Sequence, residues 1–209
     1  MESFSQFGQD LIVINYYNKK RDGYFLEIGA SDGILISNCY TLEKNYDWSG
    51  ICVEVIPYKF EQLKKNRNAI CINKAIFNKS NEIVKFSIHK YGEHSEDGIS
   101  GITNYLDKHK DKVLKNETQI DVETLSLVDL LTQNNAPPLI DYLSLDTEGT
   151  ELEILQSNDY EKYNFGFISV EHNFIEPRRS QIYKLLVSNN YKFFGSKNAD
   201  DFYIYNLNK

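Results

Sequence analysis

The sequence predicts a Rossmann-like α/β fold: a mostly parallel seven-stranded sheet, helices on both faces, and one late antiparallel strand. Short apolar runs alternate with helical patterns along the chain, as parallel strands joined by crossover helices require. The first apolar run, 23–29, ends in a glycine-rich turn at Gly29 to Gly33. The last two runs are separated only by residues 196–200, too few for a parallel crossover, so the final strand turns back as a hairpin partner.

The elements follow in order. Residues 8–19 read as a helix, with Leu11 and Ile14 on one face, and GYFLEIG (23–29) as a strand. A helix is expected over 34–47, and GICVEVI (50–56) is a buried strand with Pro57 opening the next helix. AICIN (69–73) is a third strand, and EIVKFSIHK (82–90) alternates like a half-exposed one. Residues 91–116 are irregular and glycine-containing, either a solvated loop with an exposed helix or a substrate lid. A strand near 118–123, a helix 126–133, a strand 139–146 and a helix 150–158 come next. Thr150 and Glu153 have capping-box spacing at the start of that last helix. A strand 165–171, a helix 178–189 and strands 191–195 and 201–206 complete the chain. No linker divides it, so residues 1–209 read as one domain.

Composition narrows the partners. With 23 Lys and Arg against 30 Asp and Glu, the net charge is −7, which disfavours nucleic acid. Hydrophobic residues at 41% and charged residues at 25% are ordinary for a globular protein. Cys39, Cys52 and Cys71 are few and odd in number, without zinc-type spacing, and read as reduced thiols of a cytoplasmic protein. The start, MESFSQFGQD, has neither the basic opening nor the apolar core of a signal peptide. No apolar run is long enough to span a membrane.

Two motifs carry chemistry. The first is Glu27-Ile28-Gly29-Ala30-Ser31-Asp32-Gly33. A dinucleotide fingerprint would need glycines where Ser31 and Ile34 stand. The same residues match the G-x-S-x-G nucleophile elbow with Ser31 as nucleophile, although only one strand precedes it. The third reading is the acid-x-Gly-x-x-x-Gly loop that binds S-adenosylmethionine (SAM), a cation without phosphates that suits a turn carrying acids. Glu54, at the end of the second strand, is placed to accept hydrogen bonds from both hydroxyls of a ribose, which supports a nucleoside without choosing between cofactors.

The second motif is LSLDTEGTELEIL with SVEHN. Asp146 ends one strand, and Glu171, His172 and Asn173 end the next. If those strands are neighbours, Asp146 and Glu171 share a crevice. Asp146 and Glu171, with His172 or Asn173, then form a set for Mg²⁺ or Mn²⁺, the hard-oxygen choice being Asp146, Glu171 and Asn173, and the metal would acidify an acceptor hydroxyl. Without a metal, His172 or a carboxylate would serve as general base. Glu148 and Glu151 read as part of the following helix, behind the site.

Together these residues resemble the FkbM-type SAM-dependent methyltransferases over nearly the whole chain. SQFGQD (Ser5 to Asp10) is similar to the family's N-terminal element, GYFLEIGASDG to its glycine loop, and WSGICVEVIP to its W-x-G-x-x-x-E-x-x-P block. DYLSLDTEGTELEIL resembles its D-x-E-G-x-E signature and ISVEHN its late strand-end motif. The resemblance implies the class I methyltransferase fold and O-methylation, often of sugar hydroxyls in glycans. It implies cofactor binding by Gly29, Asp32 and Glu54, with Glu27, Ala30 and Gly33 in the same loop and Gln9 closing over cofactor or acceptor. Some metal-dependent O-methyltransferases carry a Lys or His base three residues after the first acid, where this chain has Gly149. Family members also occur as terminal domains of glycan-assembly proteins, including in large DNA viruses. An opening so close to SQFGQD is what an excised domain would show, and a viral chain would work in the host cytoplasm. Methylation of a small non-sugar alcohol, or a SAM-binding module without catalysis, are the alternatives.

Overall fold

The computed structural model describes residues 2–89 and 99–206. Its main sheet has seven strands in the order β10-β11-β9-β8-β1-β2-β3. These are β1 (Tyr24–Ile28), β2 (Ser49–Val53), β3 (Ile70–Ile72), β8 (Leu139–Leu145), β9 (Asn164–Glu171), β10 (Tyr191–Lys197) and β11 (Asp200–Tyr205). Pairings from β3 to β9 are parallel, and β11 runs antiparallel to both β9 and β10, as the short final connection requires. This is the mostly parallel seven-stranded sheet with a late antiparallel strand that the sequence predicts.

Period-two alternation sorts the core onto two faces. Leu26 and Ile28 of β1 join Leu143, Leu145, Ile168 and Val170 under α5 (Leu127–Gln133), α6 (Glu151–Gln156) and α7 (Arg178–Ser188). Phe25, Cys52, Tyr142 and Phe167 face the other way, against α1 (Gln9–Tyr16), α2 (Tyr40–Tyr46) and α3 (Pro57–Asn66). Burying each large apolar side chain stabilises the fold by roughly 1.5–3 kcal/mol. Among the described residues no helix is long and apolar enough to cross a membrane.

Three expectations change. The helix read over 34–47 shrinks to α2, because Ser37, Asn38 and Cys39 are drawn into hydrogen bonds with the Glu27 carboxylate instead of helical ones. The strands at 82–90 and 118–123 stand outside the main sheet. With β4 (Ala75–Phe77) and β6 (Gly101–Ile102), β5 (Ile83–His89) and β7 (Glu117–Ser126) form a second, four-stranded sheet in the order β4-β7-β5-β6. Finally, Thr150 does not cap α6; its hydroxyl donates to Thr147 Oγ1, and the Glu151 carboxylate accepts from the N–H groups of Thr147 and Gly149. The irregular stretch 91–116 is described only from residue 99, where it supplies β6 and the short helix α4 (Lys110–Lys115); a lid over 90–98 lies outside the described residues.

Candidate active site

The carboxyl ends of β1, β2 and β8 open onto one rim of the main sheet, where open α/β sheets take ligands. A cleft there encloses about 710 Å³ of empty space, part of it open to solvent. Gly29, Ser31, Glu54, Asp146 and Thr147 line its polar side, and Val55, Ile56, Ile76, Phe86 and Ile102 form an apolar wall shared with the second sheet.

Gly29 is required by geometry. Its φ is +91°, and a Cβ on it would sit 2.0 Å from the Asp146 carbonyl oxygen. The turn is tied to β2: Gly29 and Ala30 donate N–H bonds to the Val53 carbonyl, and Ser31 N–H donates to Glu54 Oε2 at 2.8 Å. Glu54 Oε1 accepts from Ile56 N–H. Burial pushes the Glu54 carboxyl up to about 7, against the pull of the Ile56 N–H, the Lys59 charge and the Ser31 N–H.

Across the rim, an oxygen from each of Asp146, Glu148 and Glu171 lies within 4.8 Å of the others. Asp146 follows β8 and Glu171 ends β9, its parallel neighbour, so the two meet as the sequence predicts if the strands pair. Glu148 joins them because α6 starts only at Glu151, leaving 147–149 as a loop in which Glu148 adopts φ +58°. Glu151 pins that loop through Thr147 and Gly149, while Arg178 donates to the Gly149 carbonyl and pairs with Asp107. Burial, reinforced by the neighbouring carboxylates, pushes Asp146 to about 7, Glu148 to about 9 and Glu171 to about 12.

The other expected site residues are distributed as follows. Asn173 reaches the cluster as a donor, its Nδ2 lying 2.6 Å from Glu171 Oε2 and 3.4 Å from Glu148 Oε2. The third carboxylate beside Asp146 and Glu171 is therefore Glu148, and Asn173 orients two of the acids. His172 follows Glu171, so alternation turns it to the opposite face of the sheet. There it is buried, its Nδ1 accepting from Phe174 N–H at 3.0 Å and its Nε2 3.4 Å from Asp201. That placement engages the ring away from the acids, in contrast to the expected base role.

Glu27 likewise points into the face under α2 and α3. Its carboxylate accepts from Ser37, Asn38 N–H, Cys39 N–H and Arg67, which commits it to shaping the turn rather than to the cleft. Asp32 accepts from the N–H groups of Ile34 and Leu35, Ala30 is buried, and Gly33 packs on Arg67 and Leu63. Gln9 is buried, donating to Asp200 and accepting from Phe7 N–H. In the sheet register Asp200 stands opposite Glu171, which places Gln9 beside the acid rim.

A family profile described as "Methyltransferase FkbM domain" matches residues 27–193. The chain belongs to the FkbM methyltransferase family. It is accordingly a SAM-dependent methyltransferase. Among solved structures, it is similar to precorrin-6y C5,15-methyltransferase from Geobacter metallireducens GS-15, with 9% identity, 93% of this chain and 85% of that one covered, and a TM-score of 0.47. It is also similar to TrmK of M. capricolum in complex with S-adenosyl-homocysteine, with 13% identity, 97% and 68% coverage, and a TM-score of 0.47. A fibrillarin/Nop5p complex gives 14% identity, 97% and 81% coverage, and a TM-score of 0.49. No curated protein sequence matches the chain.

The cleft of this FkbM methyltransferase fits its cofactor chemically. A buried carboxylate stands at the end of β2, a side-chain-free backbone turn at the end of β1, and an apolar wall between them suits a nucleobase. The acid cluster fits a divalent cation by its donors, three carboxylate oxygens of hard character.

Proposed function

We propose that this FkbM methyltransferase is an O-methyltransferase that methylates a sugar hydroxyl of a glycan with help from Mg²⁺ or Mn²⁺. The observation that carries the reading is the convergence of Asp146, Glu148 and Glu171 beside the cofactor cleft. Three carboxylates this close repel one another and hold protons unless a countercharge joins them. When bound, SAM supplies an electrophilic methyl group and the metal supplies Lewis acidity to the acceptor oxygen.

The chain's own residues do the positioning. Gly29 admits the cofactor close to the backbone, and Glu54 accepts from the ribose hydroxyls. Asp146, Glu148 and Glu171 would hold the acceptor hydroxyl in line, and one of their carboxylates takes the proton the hydroxyl loses as its oxygen gains the methyl group and the sulfur leaves as a neutral thioether. Asn173 fixes the orientation of Glu171. Phe174, 60% exposed and edge-on to the His172 ring at 4.9 Å, presents an exposed aromatic face three residues after Glu171. Such a face suits the C–H surface of a sugar ring.

The reading is tested by tritiated methyl transfer from SAM over deoxysugars, glycan fragments and non-sugar alcohols. Label is expected as a sugar methyl ether; label confined to non-sugar alcohols would overturn the acceptor assignment. Phe174→Ala should raise KM for the sugar about five-fold or more, with cofactor affinity unchanged.

Glu54 adds a pH signature. As pH falls through about 7, Glu54 gains a proton and loses acceptor capacity, so S-adenosyl-homocysteine should bind progressively more weakly. Glu54→Gln should bind it about ten-fold more weakly at pH 8 and lose that pH dependence, as calorimetry would show.

A further inference from the structure

Lys59 is the third residue of α3 and turns inward, against the usual habit of lysine. It is 7% exposed and lines the cleft. Lys64 of the same helix pairs with Glu61, and Lys74, which lines the same cleft, pairs with Glu123. Among the described residues Lys59 forms no ion pair and no hydrogen bond. Its influence on Glu54 is a through-space charge effect, without an ion-pair contact.

A lysine whose stem is buried while its unpaired ammonium opens onto a cleft is placed to donate to whatever acceptor the cleft holds. The cleft indicates what that acceptor is. Around Lys59 stand the apolar side chains Val55, Ile56, Ile76 and Phe86, which suit a flat heterocycle, and Glu54, which suits the sugar attached to one. Adenine is flat, apolar on its faces, and carries lone-pair nitrogens on its edge. A lysine offers donors alone, so it meets the acceptor edge and not the exocyclic amine.

We propose that Lys59 reads the nucleobase, its ammonium donating a hydrogen bond to a ring nitrogen of the cofactor's adenine. Lys59 and Glu54 then divide the nucleoside between them, the lysine holding the base and the carboxylate the ribose. This rests on the reading that the cleft is the cofactor site. It adds a cation to a site whose other recognised charge is acidic, and it makes cofactor recognition dependent on a base edge as well as on a diol.

Calorimetry with S-adenosyl-homocysteine tests it, because the neutral sulfur of that ligand removes charge repulsion from the comparison. The probes are the parent compound and its 1-deaza, 3-deaza and 7-deaza analogues, each lacking one ring acceptor. The wild-type protein should bind one analogue about ten-fold more weakly than the parent. Lys59→Met keeps the stem and removes the charge; it should bind the parent about ten-fold more weakly and no longer distinguish that analogue. The ligand-free variant should melt close to wild type, since methionine keeps the packing of the buried stem. Parent affinity unchanged by Lys59→Met, or discrimination that survives it, overturns the proposal. If Glu54→Gln also leaves affinity untouched, the cofactor lies elsewhere and the underlying reading fails; if Glu54→Gln weakens binding and Lys59→Met does not, only the lysine's role fails.

Discussion

Asp146→Asn is expected to lower kcat for methyl transfer by about 10³-fold, because the interaction removed is a hard anionic ligand at the acceptor oxygen, a contribution of several kcal/mol. Asparagine matches aspartate in shape, so the Gly29 contact with the backbone carbonyl of residue 146 is retained. The variant should therefore fold and still bind S-adenosyl-homocysteine within a few-fold of wild type. Its melting temperature should not fall, since one of three crowded acids has lost its charge. Single-turnover kinetics with saturating cofactor would check the expectation. A variant retaining a tenth of wild-type kcat would show that Asp146 does not act on the reacting oxygen.

Arg67→Met is expected to have the largest effect on stability. The Arg67 side chain is fully buried. Its Nε lies 2.7 Å from Glu43 Oε2, and its Nη1 lies 2.9 Å from Glu27 Oε2 and also meets Ser37 Oγ and the Gly33 carbonyl. Removing the guanidinium takes a buried cation from two buried carboxylates, which keep only the Lys44 and Asn68 donors to Glu43 and the Ser37, Asn38 and Cys39 donors to Glu27, and costs about 3 kcal/mol. For a chain of this size that lowers the melting temperature by about 10 °C. Cofactor binding should weaken as well, because Glu27 and Arg67 together hold the turn that carries Ser31 and Ile36 to the cleft.

The pH dependence of that loss has a defined sign. Burial alone would raise the Glu43 pKa, but the Arg67 charge and the Asn68 N–H outweigh it and hold the carboxyl below its usual range. A depressed folded-state pKa contributes stability above the unfolded value, and this is lost as pH falls through the folded one. Wild type should therefore lose stability below about pH 4.5. Arg67→Met lacks this component, so the gap between the two proteins should narrow on acidification. Melting curves at pH 7 and pH 4 would show it, and a gap independent of pH would contradict the ion-pair account.

Strand ends were legible in the sequence because parallel strands buried on both faces read as continuous apolar runs, and each stops where the chain reaches the rim. Glu54, Asp146 and Glu171 stood out for that reason. Glu148 did not, since it reads as part of the helix that follows; the Glu151 carboxylate, accepting from the N–H groups of Thr147 and Gly149, holds 147–149 as a loop instead. The SVEHN run at the end of β9 looked like one constellation, yet alternation sends Glu171 and His172 to opposite faces, and His172 settles against Asp201. Glu27 resembled a ligand because its partner Arg67 lies forty residues away, and no local pattern announces a buried pair at that separation. Lys59 reads as an ordinary charged helix residue until its burial is seen. The second sheet escaped notice as a unit because β4 and β6, which flank the longer β5 and β7, are only three and two residues long.

The central claim is that Asp146, Glu148 and Glu171 hold a divalent cation that activates a sugar hydroxyl. Methyl transfer to the sugar found in the acceptor screen, measured in EDTA and again after Mg²⁺ or Mn²⁺ is restored, tests it most directly. Turnover should vanish in EDTA and return with either ion, while S-adenosyl-homocysteine binding stays the same throughout. Undiminished turnover in EDTA would contradict the claim.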